Sequence, residues 1–272
     1  MAKSSIDTKQ LLEAGAHFGH KTSRWHPKMA PYIHSKRDGS HIIDLTKTAE
    51  TLEAALDFLN QAAAAGKQIL LVSTKRQARD KIKEVATSLN MPYVNERWLG
   101  GLMTNRATIG GRVRHLKDLE NRLANGELAA RYSKLEVQRF TEEIEEMNHL
   151  YGGIKDMANL PGALFVADVL HDITAVREAR KLAIPVVALV DTNVDPSQVD
   201  YPIPCNDDAT KTVNLMLDYV KEAIEAGLAK AKKTIETTQK KEQAEVKAEK
   251  KVTSVSKAAA DGGILASGEG IG

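Results

Sequence analysis

Gln68-Ile69-Leu70-Leu71-Val72-Ser73 holds an unbroken apolar run, Ile69–Val72, with Gly66-Lys67 before the stretch and Thr74-Lys75-Arg76 after it. A strand with one wet face alternates polar and apolar residues. A run this uniform is expected of a parallel strand covered on both faces. Working outward, Arg76–Leu89 reads as a helix and Pro92–Val94 as a short strand. Ala163–Ala167 and Pro185–Val190 are further buried strands, separated by a helix over Thr174–Leu182. Ile203–Cys205 is a short last strand, and Asp207–Gly227 closes the domain as a helix. Upstream, Thr46 caps a helix to about Ala65 that carries Leu52, Leu56 and Leu59 on one face, and Gly66 ends it. Strands alternating with helices predict an α/β fold, a parallel sheet with helices on both faces.

The N-terminal part reads differently. Asp7–Ala14 is a short helix stopped by Gly15, and His17–Pro31 is a loop. Tyr32–Ser35 and His41–Leu45 pair as a hairpin across Arg37-Asp38-Gly39-Ser40, because Asp-Gly supplies the positive φ angles of a tight turn. Between the two halves of the sheet lie two helices with no strand between them, Arg106–Ala124 and Lys134–Tyr151. Ile109, Val113, Leu116, Leu119 and Leu123 face one way on the first. Val137, Phe140, Ile144, Met147 and Tyr151 do so on the second. Seams this narrow predict an antiparallel coiled-coil helical hairpin that protrudes from the sheet domain. The domain boundaries are therefore 1–45, 46–105, 106–151 for the hairpin insertion, 152–228, and 229–272 for a charged tail. The tail offers few apolar residues to bury and is expected to be disordered. Lys240–Lys251 in it is at most a marginal helix.

The 272 residues carry 38 Lys and Arg against 36 Asp and Glu, a net charge of +2. Their distribution is lopsided: residues 1–115 sum to +8, residues 116–228 to −9 and the remainder to +3. Such bipolarity favours a polyanion on one face, nucleic acid foremost, although the same count is met by charges spread over solvated helix surfaces. A single cysteine, Cys205, excludes a disulfide framework and Cys-rich zinc sites. No apolar run approaches bilayer thickness, so a soluble, cytoplasmic protein is expected.

Signatures of catalysis are missing. There is no Gly-x-Gly-x-x-Gly after a strand, no Gly-x-x-x-x-Gly-Lys-Ser/Thr, no Gly-x-Ser-x-Gly and no His-Glu-x-x-His. Three features still invite a site. Ser73-Thr74-Lys75-Arg76 stands where a strand meets a helix N-terminus and reads equally as an anion site or a plain cap. Asp191, Asp195, Asp200, Asp207 and Asp208 follow the last strands; they could hold a divalent cation, but turn and cap chemistry accounts for them more simply. His17 and His20 read as packed or RNA-contacting residues rather than zinc ligands. No metal and no cofactor is expected.

Several long motifs carry a resemblance. They are Ala14-Gly15-Ala16-His17-Phe18-Gly19-His20-Lys21-Thr22, Trp25-His26-Pro27-Lys28-Met29, Asn95-Glu96-Arg97-Trp98-Leu99-Gly100-Gly101-Leu102-Met103-Thr104-Asn105, Gly152-Gly153-Ile154-Lys155-Asp156-Met157, and the segments from Asp191 to Pro196 and from Ile203 to Ala209. From about Leu11 to Gly227 the chain resembles the small-subunit ribosomal protein S-two family in its bacterial or organellar form. The chain departs from the usual pattern at Asp168–Asp172, and Cys205 stands where glycine is common. The resemblance implies a non-catalytic constituent of the small ribosomal subunit, with a flavodoxin-like sheet. It implies small-subunit rRNA as partner, and neighbouring ribosomal proteins, among them the large messenger-binding ribosomal protein one. The competing expectation is a soluble enzyme or nucleotide-binding protein on a doubly wound sheet.

RNA binding of this kind rests on cations against phosphates. The expected contacts are Lys21, Arg24, Lys28 and Lys36 from the N-terminal segment, with Lys75 and Arg76 at the strand edge. Arg97, Asn105, Arg106, Arg112 and Arg114 follow from the next loop and the hairpin base. Trp25 and Trp98, each beside an arginine, are either stacking platforms or buried supports, burial being the stronger reading. The acidic middle segment is expected to face solvent or a basic protein.

Overall fold

The computed structural model of the chain describes residues 6–157 and 159–233. Helix α1 (Thr8–Ala14) starts on the Asp7 carboxylate, which accepts the Lys9 amide, and ends at Gly15 in the left-handed region. A three-stranded antiparallel sheet follows, formed by β1 (Phe18–Lys21), β2 (Ile33–Arg37) and β3 (Ser40–Ile43) in the order β1-β3-β2. Asp38 and Gly39 join β2 to β3 at φ +50° and +76°, the two positive angles that a twist-matched two-residue turn needs. Strand β1 lies in the segment expected to be loop.

Helix α2 (Leu45–Ala64) is capped by Asp44, whose side chain accepts the Thr46 amide at 2.9 Å; Thr46 is therefore the recipient of the cap and not the cap itself. There follow β4 (Ile69–Val72), α3 (Arg79–Leu89), β5 (Tyr93–Val94), α4 (Arg106–Ala124), α5 (Glu127–Arg131), α6 (Lys134–Tyr151), β6 (Ala163–Val166), α7 (Ile173–Lys181), β7 (Val186–Val190) and β8 (Tyr201–Pro204). The last helix, α8, begins at residue 210, and residues 229–233 are helical too. Gly227 does not end it. A side chain there would meet Ala63 Cβ at 2.7 Å, so the glycine lets α8 lie close on α2. The rest of the expected tail, from 234 on, lies outside the described residues.

Strands β5-β4-β6-β7-β8 form one parallel sheet in that order, with Leu70 opposite Leu164 and Val166 opposite Ala188. Numbered among themselves the strands run 2-1-3-4-5, the flavodoxin-like order. Every residue of β4, β6 and β7 is buried, as the uniform apolar run requires. Alternate side chains feed two cores. Ile69, Leu71, Phe165 and Leu189 pack with Leu52 and Leu59 of α2, Ile82 of α3 and Val220 of α8. Leu70, Val72, Leu164 and Val190 pack on the other face with Val176 of α7, Met29, Trp98 and Leu102. Helices α4 and α6 have the expected limits and form a third small core through Leu116, Leu119, Ile144 and Met147. Among the described residues no helix is long and apolar enough to cross a membrane.

Candidate nucleic-acid interface

In a sheet of this order ligands bind where the order reverses, outside the carboxyl ends of the first and third strands. Those are β4 and β6. The loop after β4 reaches the first turn of α3 only at Arg79, so Ser73–Arg76 is not a helix N-terminus. Its Thr74 amide and hydroxyl donate to the Asp172 carboxylate at 3.1 and 2.8 Å. The anion in this loop is thus a side chain of the protein. Lys75 follows, with its ammonium 3.0 Å from Asp168, 2.9 Å from Asp207 and 2.8 Å from Asp208. Only 14% of the side chain is exposed, which corrects the expectation of a phosphate-contacting Lys75. Burial works against its charge, but hydrogen bonds to Asp208 and Asp207 and the nearby Asp168 hold the ammonium well above the ordinary lysine range.

The acidic cluster is correspondingly smaller than the five aspartates expected. Asp195 pairs with Lys28 at 2.8 Å, and Asp200 sits at the opposite end of β7, where it accepts the Val186 amide. Asp191, Asp207 and Asp208 remain, joined by Asp168. Asp207 and Asp208 are not the cap of α8, since Asn206 accepts the amides of Asp208 and Ala209. Burial first, then the charges of Asp168 and Asp191, push Asp207 up to about 7 against the pull of Lys75. His20 of β1 places Nδ1 3.1 Å from Asp191 and Nε2 3.4 Å from Asp208; the Asp191 hydrogen bond raises its pKa against burial. Ligand atoms of His20, Asp191 and Asp207 lie within 4.8 Å of one another, a spacing a divalent ion can bridge. The basic side chains set against these carboxylates belong to the chain itself: the Lys75 ammonium and the His20 imidazole.

The N-terminal sheet closes this edge. The His20 amide donates to Thr192 Oγ1 at 2.9 Å and the His26 amide to the Thr192 carbonyl at 2.8 Å. Gly19 permits the approach, because a Cβ there would stand 2.6 Å from Thr192 Cγ2. Lys28 adds bonds to Asp195 and Ser197, both at 2.8 Å. Lys21 and Arg24 line the outer rim of the resulting cleft beside His20, Asp191 and Asp208, and both are exposed. Trp25 is half-buried with its ring 5.1 Å from that of His41.

A second anchor holds the loop after β5. Both oxygens of Glu178, on α7, receive donors from it: Trp98 Nε1 at 3.0 Å, Gly101 N at 2.7 Å, Met103 N at 3.0 Å, and Thr104 N and Oγ1 at 3.1 Å. Burial alone would raise the carboxyl pKa; the Trp98 bond and the three amides bring it below the ordinary glutamate range. Trp98 is buried, a support and not a platform. Arg97 and Asn105, at the two ends of the anchored stretch, are exposed.

The Ribosomal protein S2 family profile matches residues 11–227. The small ribosomal subunit protein uS2 of Coprothermobacter proteolyticus is 49% identical over 222 residues, covering 82% of both chains. That of a Roseiflexus species is 49% identical over 222 residues, covering 82% of this chain and 84% of its own. That of Chloroflexus aggregans is 47% identical over 223 residues, covering 82% of this chain and 93% of its own. The chain belongs to the ribosomal protein S2 family.

This is a family of ribosomal proteins, not of enzymes, and the chain is no enzyme. The S2-family identity makes sense of the edge chemistry, in which the crevice of a doubly wound sheet is filled from within. Of the expected contacts, Lys21, Arg24, Lys36, Arg76, Arg97, Asn105, Arg112 and Arg114 are exposed. Lys28 is exposed but paired, Arg106 is half-buried with a bond to the Met157 carbonyl at 3.3 Å, and Lys75 is internal. Glu178 escaped the sequence reading. Its signal is position: it lies on the buried side of α7 with Ala175, Val176 and Ala179, where a charge is out of place.

Proposed function

We propose that the chain is a structural component of the small ribosomal subunit that lodges against its rRNA through the exposed cations of its N-terminal half. The observation that supports this is the asymmetry of the charges. Lys21, Arg24, Arg76, Arg97, Arg112 and Arg114 stand exposed, whereas several of the compensating carboxylates, Asp168, Asp172, Asp191, Asp207 and Glu178, are buried and already engaged. The molecule therefore presents to its surroundings more positive charge than its net +2 declares. Lys36 at the β2 end and Asn105 and Arg106 at the start of α4 extend this set, and Trp25 sits beside Arg24. Helices α4 and α6 form an antiparallel coiled coil that projects from the sheet. With the acidic face of α6 they serve neighbouring ribosomal proteins, the large messenger-binding protein one among them. The protein works in the cytoplasm, on the ribosome.

Charge reversal tests this. Lys28 is unsuitable, since its reversal would set a carboxylate against Asp195. Reversal at Lys21, Arg24 and Arg97 is expected to lower affinity for small subunits stripped of their own S2-family protein. The melting temperature should stay unchanged. Affinity of the wild-type chain should fall steeply with salt, with a slope of about 0.9 per phosphate contact. Unchanged incorporation, or a flat salt dependence, would transfer the docking to protein contacts.

A further inference from the structure

We infer that Glu178 is the positioning residue of the RNA-facing loop, holding residues 98–104 from below so that Arg97 and Asn105 are presented in fixed register. The inference rests on the proposed role of those two residues in RNA binding.

The loop between β5 and α4 has no sheet partner to give it shape, and its amides at Gly101, Met103 and Thr104 must find acceptors elsewhere. All three donate to one carboxylate, joined by an indole N–H and a hydroxyl. Glu178 is 8% exposed, and a buried carboxylate is tolerated only where donors replace its water. Five do so here, and the anion and the loop thus require each other. An apolar side chain at 178 would satisfy the core as well but would leave the loop amides unmet. The carboxylate belongs to α7, which packs on β6 and β7, so the loop is registered to the sheet and not merely to itself. The clamp begins at Trp98, the residue after Arg97, and ends at Thr104, the residue before Asn105. The Asn105 amide in turn donates to the Gly101 carbonyl at 2.7 Å, and Gly101 adopts φ +85°. The two proposed contacts are therefore the flanks of one clamped segment.

Glutamine at 178 keeps the volume but offers one acceptor oxygen and an amide group that faces donors. The test measures affinity of the full chain for small subunits stripped of their own S2-family protein, as a function of salt, for wild type, Arg97→Ala, Glu178→Gln and the double variant. One phosphate contact at 0.1 M salt corresponds to about eightfold in affinity and about 0.9 in slope. Arg97→Ala is expected to show that loss, Glu178→Gln a loss at least as large with a similarly shallower slope, and the double variant no loss beyond Glu178→Gln alone. A merely structural role would move the melting temperature and leave the salt slope of the folded fraction intact. Wild-type affinity and slope in folded Glu178→Gln, with Arg97→Ala impaired, overturns the inference and spares the proposed function. Wild-type behaviour of both Arg97→Ala and Asn105→Ala removes the loop from the interface and overturns both. Should Glu178→Gln not fold, the Trp98→Phe/Thr104→Val chain deletes two of the five donors. An unchanged slope in that chain, checked as folded by near-ultraviolet circular dichroism, overturns the inference as well.

Discussion

Replacing Asp207 by asparagine should make the protein more stable at pH 8 and flatten its pH dependence. Among the described residues the basic side chains paired with the four carboxylates Asp168, Asp191, Asp207 and Asp208 at the sheet edge are Lys75 and His20. The excess negative charge falls on Asp207, the most enclosed of those touching Lys75, and pushes it from 3.8 to about 7. A folded-state pKa above the unfolded one means that the folded protein holds the proton more tightly. Between about pH 4 and pH 7 stability therefore falls as pH rises. The shift spans about three units, at about 1.36 kcal/mol each, which bounds the loss at about 4 kcal/mol by pH 8. His20, also raised, adds to the same trend, its contribution being present at low pH and lost as it deprotonates. Asp195, Asp208 and Glu178 are held below their ordinary values, so their contributions disappear only in more acidic solution. The optimum should thus lie on the weakly acidic side of neutrality. Asparagine reproduces the protonated form and keeps an oxygen for Lys75, which retains Asp168 and Asp208. Urea denaturation at pH 5.5 and pH 8 measures the difference. The variant should gain about 4 kcal/mol at pH 8 and about 2 kcal/mol at pH 5.5, where the wild type has given up about half of the difference. Equal pH slopes for wild type and variant, or a loss at pH 8, would refute the assignment of the excess charge to Asp207.

Three further outcomes are expected. Leu119→Ala should cost about 2–5 kcal/mol of hairpin stability, because Leu119 is one of the few buried residues joining α4 to α6; hydrogen exchange should show faster opening of α4 and α6 with β4 and β6 still protected. Gly39→Ala should cost about 1 kcal/mol by thermal denaturation, since φ +76° is strained for any residue with a Cβ while nothing around it blocks the side chain. Cys205 is fully buried and its thiol is pushed up by burial and by Asp191 and Asp207, so iodoacetamide should leave it untouched in the native protein and label it in denaturant.

What could be read along the chain is what local chemistry determines. The Asp38-Gly39 turn was legible because few dipeptides accept two positive φ angles in succession. The sheet was legible because Ile69–Val72 and Val186–Val190 have no polar face to offer water. The helices α4 and α6 were legible from their apolar seams, Ile109 to Leu123 and Val137 to Tyr151. Strand β1 was not, for its partner is β3 and the reason for Gly19 is Thr192, far away along the chain. The partners of Lys75 were illegible for the same reason. A lysine after a strand looks the same whether it meets phosphate or carboxylate, and the three aspartates that hold it lie 93 or more residues later in the sequence. The expected contacts that came out exposed sit in loops, on outer helix faces or, for Lys21 and Lys36, at the ends of the short strands β1 and β2.

The internal pairing of Lys75 bears on how this fold is used. A doubly wound sheet offers an anion-binding crevice at its switch point for topological reasons alone. Here Asp172 takes the amide and the hydroxyl of Thr74, Lys75 bridges the loop after β4 to the loops after β6 and β8, and β1 covers the adjoining edge through His20. Each contact replaces a ligand with a part of the chain. A closed edge needs no small molecule to complete it, and its charges are consumed internally. The cations left for a partner are then those on the rim and in the loops, exposed and far apart in sequence. Those are the charges that the proposed docking on rRNA would use, because a phosphate backbone offers counter-charge along its whole length.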